Sequence, residues 1–246
     1  PANLADKVRQ RLAAFREQLK DAVEQGLTLD LDPVRIRESG RDTDAVYAQT
    51  MTSRERLQNV RTCMERVLRD DVPGDFIEAG VWRGGTAIYM RAVLKAYDIT
   101  DRSVVLADSF EGLPPPDPER YPADGDFDPA EKGRCAADLC SVRENFDAYG
   151  LLGDQVEFVK GWFSDSLPAL CDRTWSLIRL DGDLYESTWD CLVNLYSGLS
   201  PGGFVVIDDW VFPPCKAAVN DYRAKHGITE EIVDIDWASA YWRRSI

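Results

Sequence analysis

From Asp75 onward, short runs of apolar and β-branched residues alternate with longer amphipathic stretches. This alternation is typical of a parallel sheet whose strands are connected by helices on both faces. It predicts an α/β fold with a doubly wound, mostly parallel, seven-stranded sheet. The predicted strands are Asp75–Ala79, Ser103–Asp108, Val156–Lys160, Ser176–Asp181, Gly203–Asp208, Ile232–Ile235 and Ala240–Arg244, and the predicted helices between them are Thr86–Ala96, Cys140–Tyr149, Thr188–Leu199 and Lys216–His226.

Two stretches before the first strand, Ala2–Gln25 and Ser53–Leu68, have helical patterning. We expect residues 1–70 to form a helical cap on a sheet-containing unit of residues 71–246, and the two to form one compact unit, because a chain of 246 residues suits a single core. The stretch Gly112–Gly133 carries six prolines among acidic residues, which excludes a helix or a central strand. Long loops of this kind are often lids or substrate walls.

Charge and composition exclude several classes of partner. The net charge of -14 would repel a polyphosphate, so nucleic acid is not an expected partner. The sequence has no run of about 18 apolar residues, and its first residues lack the apolar centre of a signal peptide, so we expect no membrane association. The six cysteines show no C-x-x-C spacing, which indicates reduced thiols and a cytoplasmic protein.

The first predicted strand runs into a glycine-rich turn, E-A-G-V-W-R-G-G-T, that precedes a helix. Gly80 permits a sharp exit from the strand, and Gly84 and Gly85 would let the backbone, with its amides, approach a ligand. Glu78 at the strand end would hold an ammonium group and repel a pyrophosphate, which favours a nucleoside bearing an amino acid over a dinucleotide. The alternative is a tight turn that needs glycine only for steric reasons.

A second acidic residue weakens that alternative. Asp108 ends the next strand, 30 residues after Glu78, in V-V-L-A-D-S-F-E-G-L-P. A carboxylate at this place in the fold can accept hydrogen bonds from both ribose hydroxyls of a nucleoside. The two strand ends together therefore predict a nucleoside-binding site.

Acidic pairs follow two later strands. Asp181 and Asp183 lie in L-I-R-L-D-G-D, and Asp208 and Asp209 lie in V-V-I-D-D-W. Neighbouring parallel strands present their carboxyl ends to one crevice, where these carboxylates would repel one another unless a cation bound there. An all-oxygen site favours Mg²⁺ over Zn²⁺. The alternative is that each aspartate caps a helix or a turn.

These motifs together resemble a known family, the macrocin O-methyltransferase-like enzymes. They are class I S-adenosylmethionine-dependent methyltransferases, with a Rossmann-like fold, that methylate sugar hydroxyls of macrolide and aminocoumarin antibiotics. The resemblance spans nearly the whole chain. It is carried by T-M-T-S-R-E-R-L at Thr50–Leu57, G-V-W-R-G-G at Gly80–Gly85, A-D-S-F-E-G-L-P at Ala107–Pro114, L-D-G-D-L-Y-E-S-T at Leu180–Thr188, I-D-D-W at Ile207–Trp210 and Y-W-R-R at Tyr241–Arg244.

The resemblance implies S-adenosylmethionine as methyl donor, Mg²⁺ held by carboxylates, and a glycosylated small-molecule acceptor with a vicinal diol on a deoxysugar. A homo-oligomer is a further expectation. The implied donor-binding residues are Thr50, Met51, Glu78, Gly80, Val81, Trp82, Thr86, Asp108, Ser109, Gly161, Trp162 and Phe163.

The resemblance also implies that Asp181, Asp208 and Asp209 are the metal ligands. Asp181 and Asp183 are the candidate catalytic residues, with Asp183 as the candidate base. The alternative that Asp183 replaces Asp181 as a ligand stays open, because only one glycine separates them. Trp210 departs from the family pattern, in which a tyrosine is expected after the paired aspartates.

Other functions remain to be weighed against this hypothesis. A catechol-type methyltransferase would use the same metal chemistry on a flat phenolic acceptor. A Rossmann-type oxidoreductase would need the pyrophosphate recognition that Glu78 opposes, and a noncatalytic nucleoside-binding module would not need the acidic pairs. His226 and Lys216 are interpreted as structural helix residues, whereas Trp162 and Trp210 are candidates for the site because both follow strand ends.

Overall fold

The computed structural model describes residues 48–125 and 135–245. The predicted helix Ala2–Gln25 and residues 126–133 of the proline-rich stretch lie outside the described residues. The sheet has seven strands in the order β3-β2-β1-β4-β5-β7-β6, and β7 is antiparallel to both of its neighbours. The strands are β1 Asp75–Ala79, β2 Val104–Asp108, β3 Val156–Lys160, β4 Trp175–Leu180, β5 Leu199–Ile207, β6 Val233–Asp234 and β7 Ala240–Arg243.

Six α-helices of the described chain surround this sheet. Three short 3-10 turns, Pro122–Asp124, Leu167–Leu170 and Tyr196–Gly198, complete the regular structure. None of the helices in the described ranges is long and apolar enough to span a bilayer. The helices are α1 Arg54–Arg69, α2 Gly85–Ala96, α3 Leu139–Ala148, α4 Phe163–Ser166, α5 Tyr185–Leu195 and α6 Pro213–His226.

The helices form a layer on each face of the sheet, because successive strand residues point to opposite faces. Phe76 of β1 lies in an apolar cluster with buried residues of α1, α2 and α3. Its neighbour Ile77 lies in a second cluster with α5 and α6. The predicted doubly wound α/β fold is therefore confirmed.

Helix α1 is part of the first of these clusters. Ser53 caps it by accepting a hydrogen bond from the amide of Arg56. Val60, Met64 and Val67 are fully buried in this cluster, which also contains strand residues such as Phe76. The apolar core thus extends across the predicted boundary at residue 70, and the division into a cap and a sheet-containing unit stays a prediction.

The predicted bounds of α5 and β5 are wrong by three to four residues. The prediction placed the helix at Thr188–Leu199, whereas it begins at Tyr185 and gives way to a 3-10 turn after Leu195. It begins early because the carboxylate of Asp124 accepts hydrogen bonds from the amides of Tyr185 and Glu186. Strand β5 correspondingly begins at Leu199.

The predicted start of α6 is also late. Two prolines, Pro213 and Pro214, occupy its first positions. Proline is tolerated there because the N–H groups of the first helical turn have no partner within the helix. Gly227 ends the helix with a left-handed backbone, directly after the predicted last residue His226.

The strand order reverses between β1 and β4, since chain neighbours β2 and β3 lie on one side of β1 and the later strands on the other. In open α/β sheets ligands bind outside the carboxyl ends of the strands at such a point. The residues that follow β1, β2, β4 and β5 surround this position.

Candidate active site

A cavity of about 870 Å³ opens at the carboxyl ends of these strands. It brings together every residue that the sequence predicted for the donor, the metal or catalysis. These lining residues are Thr50, Met51, Glu78, Gly80, Val81, Trp82, Thr86, Asp108, Ser109, Gly161, Trp162, Phe163, Asp181, Asp183, Asp208 and Asp209.

Glu78 lies near the end of β1 with 2% of its surface exposed. Its Oε1 accepts a hydrogen bond from Arg179 Nη1 at 2.5 Å. Its Oε2 is buried without a hydrogen-bond partner in the described part of the chain. Burial raises the pKa of this carboxyl to about 8. Glu78 is also a lining residue of the cavity, and its binding of an ammonium group of the donor stays a prediction.

The turn after β1 packs on the carboxylate of Asp108. Oδ2 of Asp108 accepts hydrogen bonds from the amides of Val81 and Trp82 at 2.7 and 3.3 Å. Oδ1 of Asp108 accepts a hydrogen bond from the amide of Phe110 at 2.7 Å. The amides of Val81 and Trp82 are therefore occupied by Asp108. They meet Asp108 because β1 and β2 are adjacent, so the end of β2 lies beneath the turn.

The glycines of this turn also serve the packing of the chain itself. A Cβ on Gly84 would lie 2.8 Å from the side chain of Val142, and one on Gly85 would lie 2.5 Å from the carbonyl group of Gln49. Neither glycine is among the lining residues of the cavity, and their close approach to a ligand stays a prediction. At Gly80, whose φ is +88°, a Cβ would lie 1.7 Å from the backbone oxygen of Asp181. The steric interpretation of the glycines is correct for this turn.

The segment before α1 lies across the turn. The Gly85 amide donates to the Gln49 oxygen at 2.8 Å. The hydroxyl of Thr86, which is 2% exposed, lies 3.2 Å from that of Thr50 and 3.3 Å from that of Thr52. These contacts place Thr50 and the adjacent Met51 over the glycine turn, at the wall of the cavity.

Three carboxylates meet on the β4 and β5 side of the cavity. One oxygen each from Asp181, Asp208 and Asp209 lies within 4.8 Å of the others. Burial raises the pKa of Asp181 to about 6; the charge of Arg179 opposes this shift and the charge of Asp208 adds to it. Burial and the charges of Asp183 and Asp181 raise the pKa of Asp209 well above its usual value. An all-oxygen set of this kind is the type that hard divalent cations bind.

Asp183 lies in the same cavity but its backbone is held differently. Its φ is +57°, in the left-handed region. Its amide donates to Oδ2 of Asp209 at 2.9 Å. The group of three is thus the predicted ligand set, with Asp183 beside it.

Two arginines in this site were not predicted. Arg179 on β4 is fully buried and donates from Nη1 to Asp181 at 2.7 Å and from Nη2 to Asp208 at 2.5 Å. Arg56 on α1 donates from Nη1 to Asp208 at 2.8 Å and from Nε to Asp236 at 2.7 Å. The charge-repulsion argument for a cation omitted these two guanidinium groups. A charged residue inside the apolar run S-L-I-R-L was the signal that reveals Arg179.

The outer rim of the cavity combines apolar and acidic side chains. The described part of the proline-rich stretch lines it from Gly112 to Glu119, as the prediction of a substrate wall requires. Trp162 and Trp237 contribute aromatic rings. Burial, and next the charge of Glu186, raises the pKa of Asp190 at this rim to about 6.

Residues interpreted as structural lie away from the cavity. His226 is exposed, with its ring centroid 4.3 Å from that of Tyr222. Lys216 lies over the ring of Trp210 at 4.6 Å. Trp162 lines the cavity, whereas Trp210 packs against the core and is not among its lining residues, so only one of these two candidates is at the site.

Comparison with known proteins gives consistent matches. The family model for macrocin-O-methyltransferase (TylF) matches residues 4–244. A mycinamicin III 3''-O-methyltransferase from Micromonospora griseorubida is 47% identical over 212 residues, which are 85% of this chain and 83% of that protein. An 8-demethyl-8-(2,3-dimethoxy-alpha-L-rhamnosyl)-tetracenomycin-C 4'-O-methyltransferase from Streptomyces olivaceus is 50% identical over 217 residues, 88% of this chain and 82% of that protein.

A solved structure extends the likeness to three dimensions. The O-methyltransferase NovP superposes with a TM-score of 0.83 at 46% sequence identity, covering 87% of this chain and 88% of that chain. The chain therefore belongs to the macrocin-O-methyltransferase (TylF) family and is an O-methyltransferase.

Proposed function

We propose that this O-methyltransferase transfers a methyl group from S-adenosylmethionine to a sugar hydroxyl of a glycosylated natural product, with Mg²⁺ in the site. The observation that carries the proposal is the group of three carboxylates, Asp181, Asp208 and Asp209, in the cavity that also contains the predicted donor residues. The relatives from Micromonospora griseorubida and Streptomyces olivaceus support the acceptor class, since the second is named for a rhamnosyl compound.

Two carboxylates hold the donor. Glu78, a lining residue of the cavity, binds the ammonium group of its methionine part. Asp108 accepts hydrogen bonds from the ribose hydroxyls while its bonds to the turn amides keep it in place. Thr50 and Met51 cover the donor from the segment before α1, and Trp162 and Phe163 lie beside its adenine.

The metal ligands are Asp181, Asp208 and Asp209. Mg²⁺ bound by them would coordinate acceptor oxygens and lower the pKa of the hydroxyl to be methylated. The chain contributes the geometry of the oxygen set, since Asp208 is held through both of its oxygens by Arg56 and Arg179.

Asp183 is the base in this proposal. It accepts the proton of the acceptor hydroxyl on its carboxylate, which lies one glycine beyond Asp181. Its amide is anchored on Asp209, so the base and the ligand set keep a fixed relation.

A methyl-transfer assay over a matched panel of acceptors tests the proposal. The panel contains glycosides with a vicinal diol on the sugar, the corresponding aglycones, and simple catechols. We expect product from glycosides alone, with tandem mass spectrometry locating the new methyl group on the sugar. Methylation of catechols together with no turnover of any glycoside would contradict the sugar assignment in favour of a catechol-type enzyme.

A further inference from the structure

Arg179 occupies an unusual position for a charged residue. It lies on β4, in register with Glu78 of β1 and Val206 of β5, so strands flank it on both sides. Its side chain has 0% relative exposure. A buried arginine is costly unless its charge and its N–H groups are met by partners. The partners of Arg179 therefore indicate what it does.

Those partners lie on β1, directly after β4, directly after β5, and in the segment before α1. Nη1 donates to Glu78 at 2.5 Å and to Asp181 at 2.7 Å. Nη2 donates to Asp208 at 2.5 Å and to the hydroxyl of Thr52 at 3.0 Å. Arg179 thus contacts two of the three proposed metal ligands and the carboxylate proposed to bind the donor.

We propose that Arg179 is a positioning residue that holds Asp181 and Asp208 in the arrangement a divalent cation requires. The inference rests on the proposed metal ligands. A planar guanidinium directs its N–H groups along fixed lines, so one arginine can orient two carboxylates at once. Arg56 completes the effect, because it binds the other oxygen of Asp208 at 2.8 Å and so fixes the plane of that carboxylate.

A competing account assigns Arg179 the opposite effect. As a cation beside the ligands, it would occupy the oxygens that a metal needs and would weaken metal binding through repulsion. The two accounts predict opposite changes in metal affinity when the guanidinium is replaced by an uncharged group: weaker binding in ours, tighter binding in the competing one. Partners that orient metal ligands typically contribute about 10–100-fold to metal affinity, which is large enough to measure.

The experiment is a titration of the full-length protein with Mn²⁺, followed by calorimetry, without donor or acceptor. In Arg179→Lys the charge is retained and the fork of N–H groups is lost. We expect affinity for Mn²⁺ to fall about 10–100-fold. The matched control is Arg173→Lys, because Arg173 also bridges two carboxylates, Asp75 at 2.7 Å and Glu157 at 2.5 Å, but at the amino ends of the strands. The control should bind Mn²⁺ as the unmodified protein does.

Two further variants keep the inference testable if Arg179→Lys does not fold, which circular dichroism will show. Thr52→Val changes no charge and removes one acceptor of Nη2, so we expect affinity for Mn²⁺ to fall about two- to fivefold. Arg179→Met should also bind Mn²⁺ more weakly.

Unchanged Mn²⁺ affinity in folded Arg179→Lys, or in Thr52→Val where Arg179→Lys does not fold, would overturn the inference. Tighter binding by Arg179→Met would do so as well, in favour of the competing account. Absence of Mn²⁺ binding by the unmodified protein would instead overturn the proposed metal site, and the inference with it.

Discussion

At the scale of single residues, Asp183 and Asp209 have different environments although both are acidic and line one cavity. Asp209 belongs to the group of three carboxylates with converging oxygens. Asp183 adopts a left-handed backbone, which aspartate tolerates better than most residues. Our proposal gives the ligand role to Asp209 and the role of base to Asp183, and this division is open to a direct test.

We expect Asp183→Asn to keep the metal and to lose turnover, because asparagine preserves shape and cannot accept the proton. Loss of a general base typically lowers kcat about 100-fold or more. Asp209→Asn, the matched variant, should weaken metal binding itself. Mn²⁺ titration and kcat measured on each variant separate the two roles. If Asp183→Asn lost the metal while Asp209→Asn retained it, the assignment would be reversed.

The acidic residues of the site were predicted from sequence, whereas the roles of the two arginines were not, for a physical reason. Glu78, Asp108 and Asp181 follow strand ends, and parallel strands bring their carboxyl ends to one crevice. Arg179 lies inside a strand, and its role follows from its register with Glu78 on a neighbouring strand. The spacing of residues along the sequence does not show which residues of two neighbouring strands lie side by side.

At the scale of elements, Gly80 controls how β1 and β4 meet. A Cβ at Gly80 would overlap the backbone oxygen of Asp181 at 1.7 Å, and the backbone there cannot move without separating the strands. Gly150 offers a matched comparison, since its φ is +64° and its Cβ would meet nothing within 4 Å.

We expect Gly80→Ala to lower the free energy of unfolding by more than about 4 kcal/mol, a loss typical of severe overlap in a core. Gly150→Ala should lose only about 1–2 kcal/mol, the cost of a left-handed alanine. Urea unfolding of both variants measures the difference. Equal losses would show that the strand contact at Gly80 does not limit stability.

The proline-rich wall is attached to the fold through Asp124, which is 1% exposed. Oδ1 of Asp124 accepts a hydrogen bond from the amide of Tyr185 at 2.7 Å, so a residue of the proline-rich stretch caps α5. The ring of Tyr121 stacks on that of Tyr185 at 5.5 Å. This attachment is why α5 begins earlier than its own sequence predicts, and a contact between distant segments cannot be read from local patterning.

Replacement of Asp124 with alanine should cost about 0.5–2 kcal/mol of stability, the usual contribution of a helix cap. It should also raise KM for the acceptor, because the wall at Gly112–Glu119 loses its attachment. Asp138→Ala is the control: Asp138 caps α3 through the amide of Ser141 at 3.0 Å, at an exposed position away from the cavity. Thermal unfolding and steady-state kinetics on both variants check this. An equal effect on KM in the two would contradict the role of the wall.

At the scale of the whole molecule, the position of the cavity follows from topology. The alternation of strands and helices predicted the doubly wound sheet, and the reversal of strand order between β1 and β4 places the cavity at the carboxyl ends. The cavity contains Glu78 and Asp108, proposed to bind the donor, and the three converging carboxylates proposed to bind the metal. These are different residues, although Arg179 contacts both Glu78 and Asp181. We expect donor binding and metal binding to be separable in experiment.

The most direct test measures turnover and donor binding in the same metal-depleted sample. Methyl transfer to a responsive glycoside is followed after treatment with a chelator, and binding of S-adenosylhomocysteine is followed by its stabilisation of the protein against heat. The account predicts that turnover is abolished, that binding stays nearly intact, and that added Mg²⁺ restores activity. Full turnover with no detectable divalent ion would contradict the metal site formed by Asp181, Asp208 and Asp209.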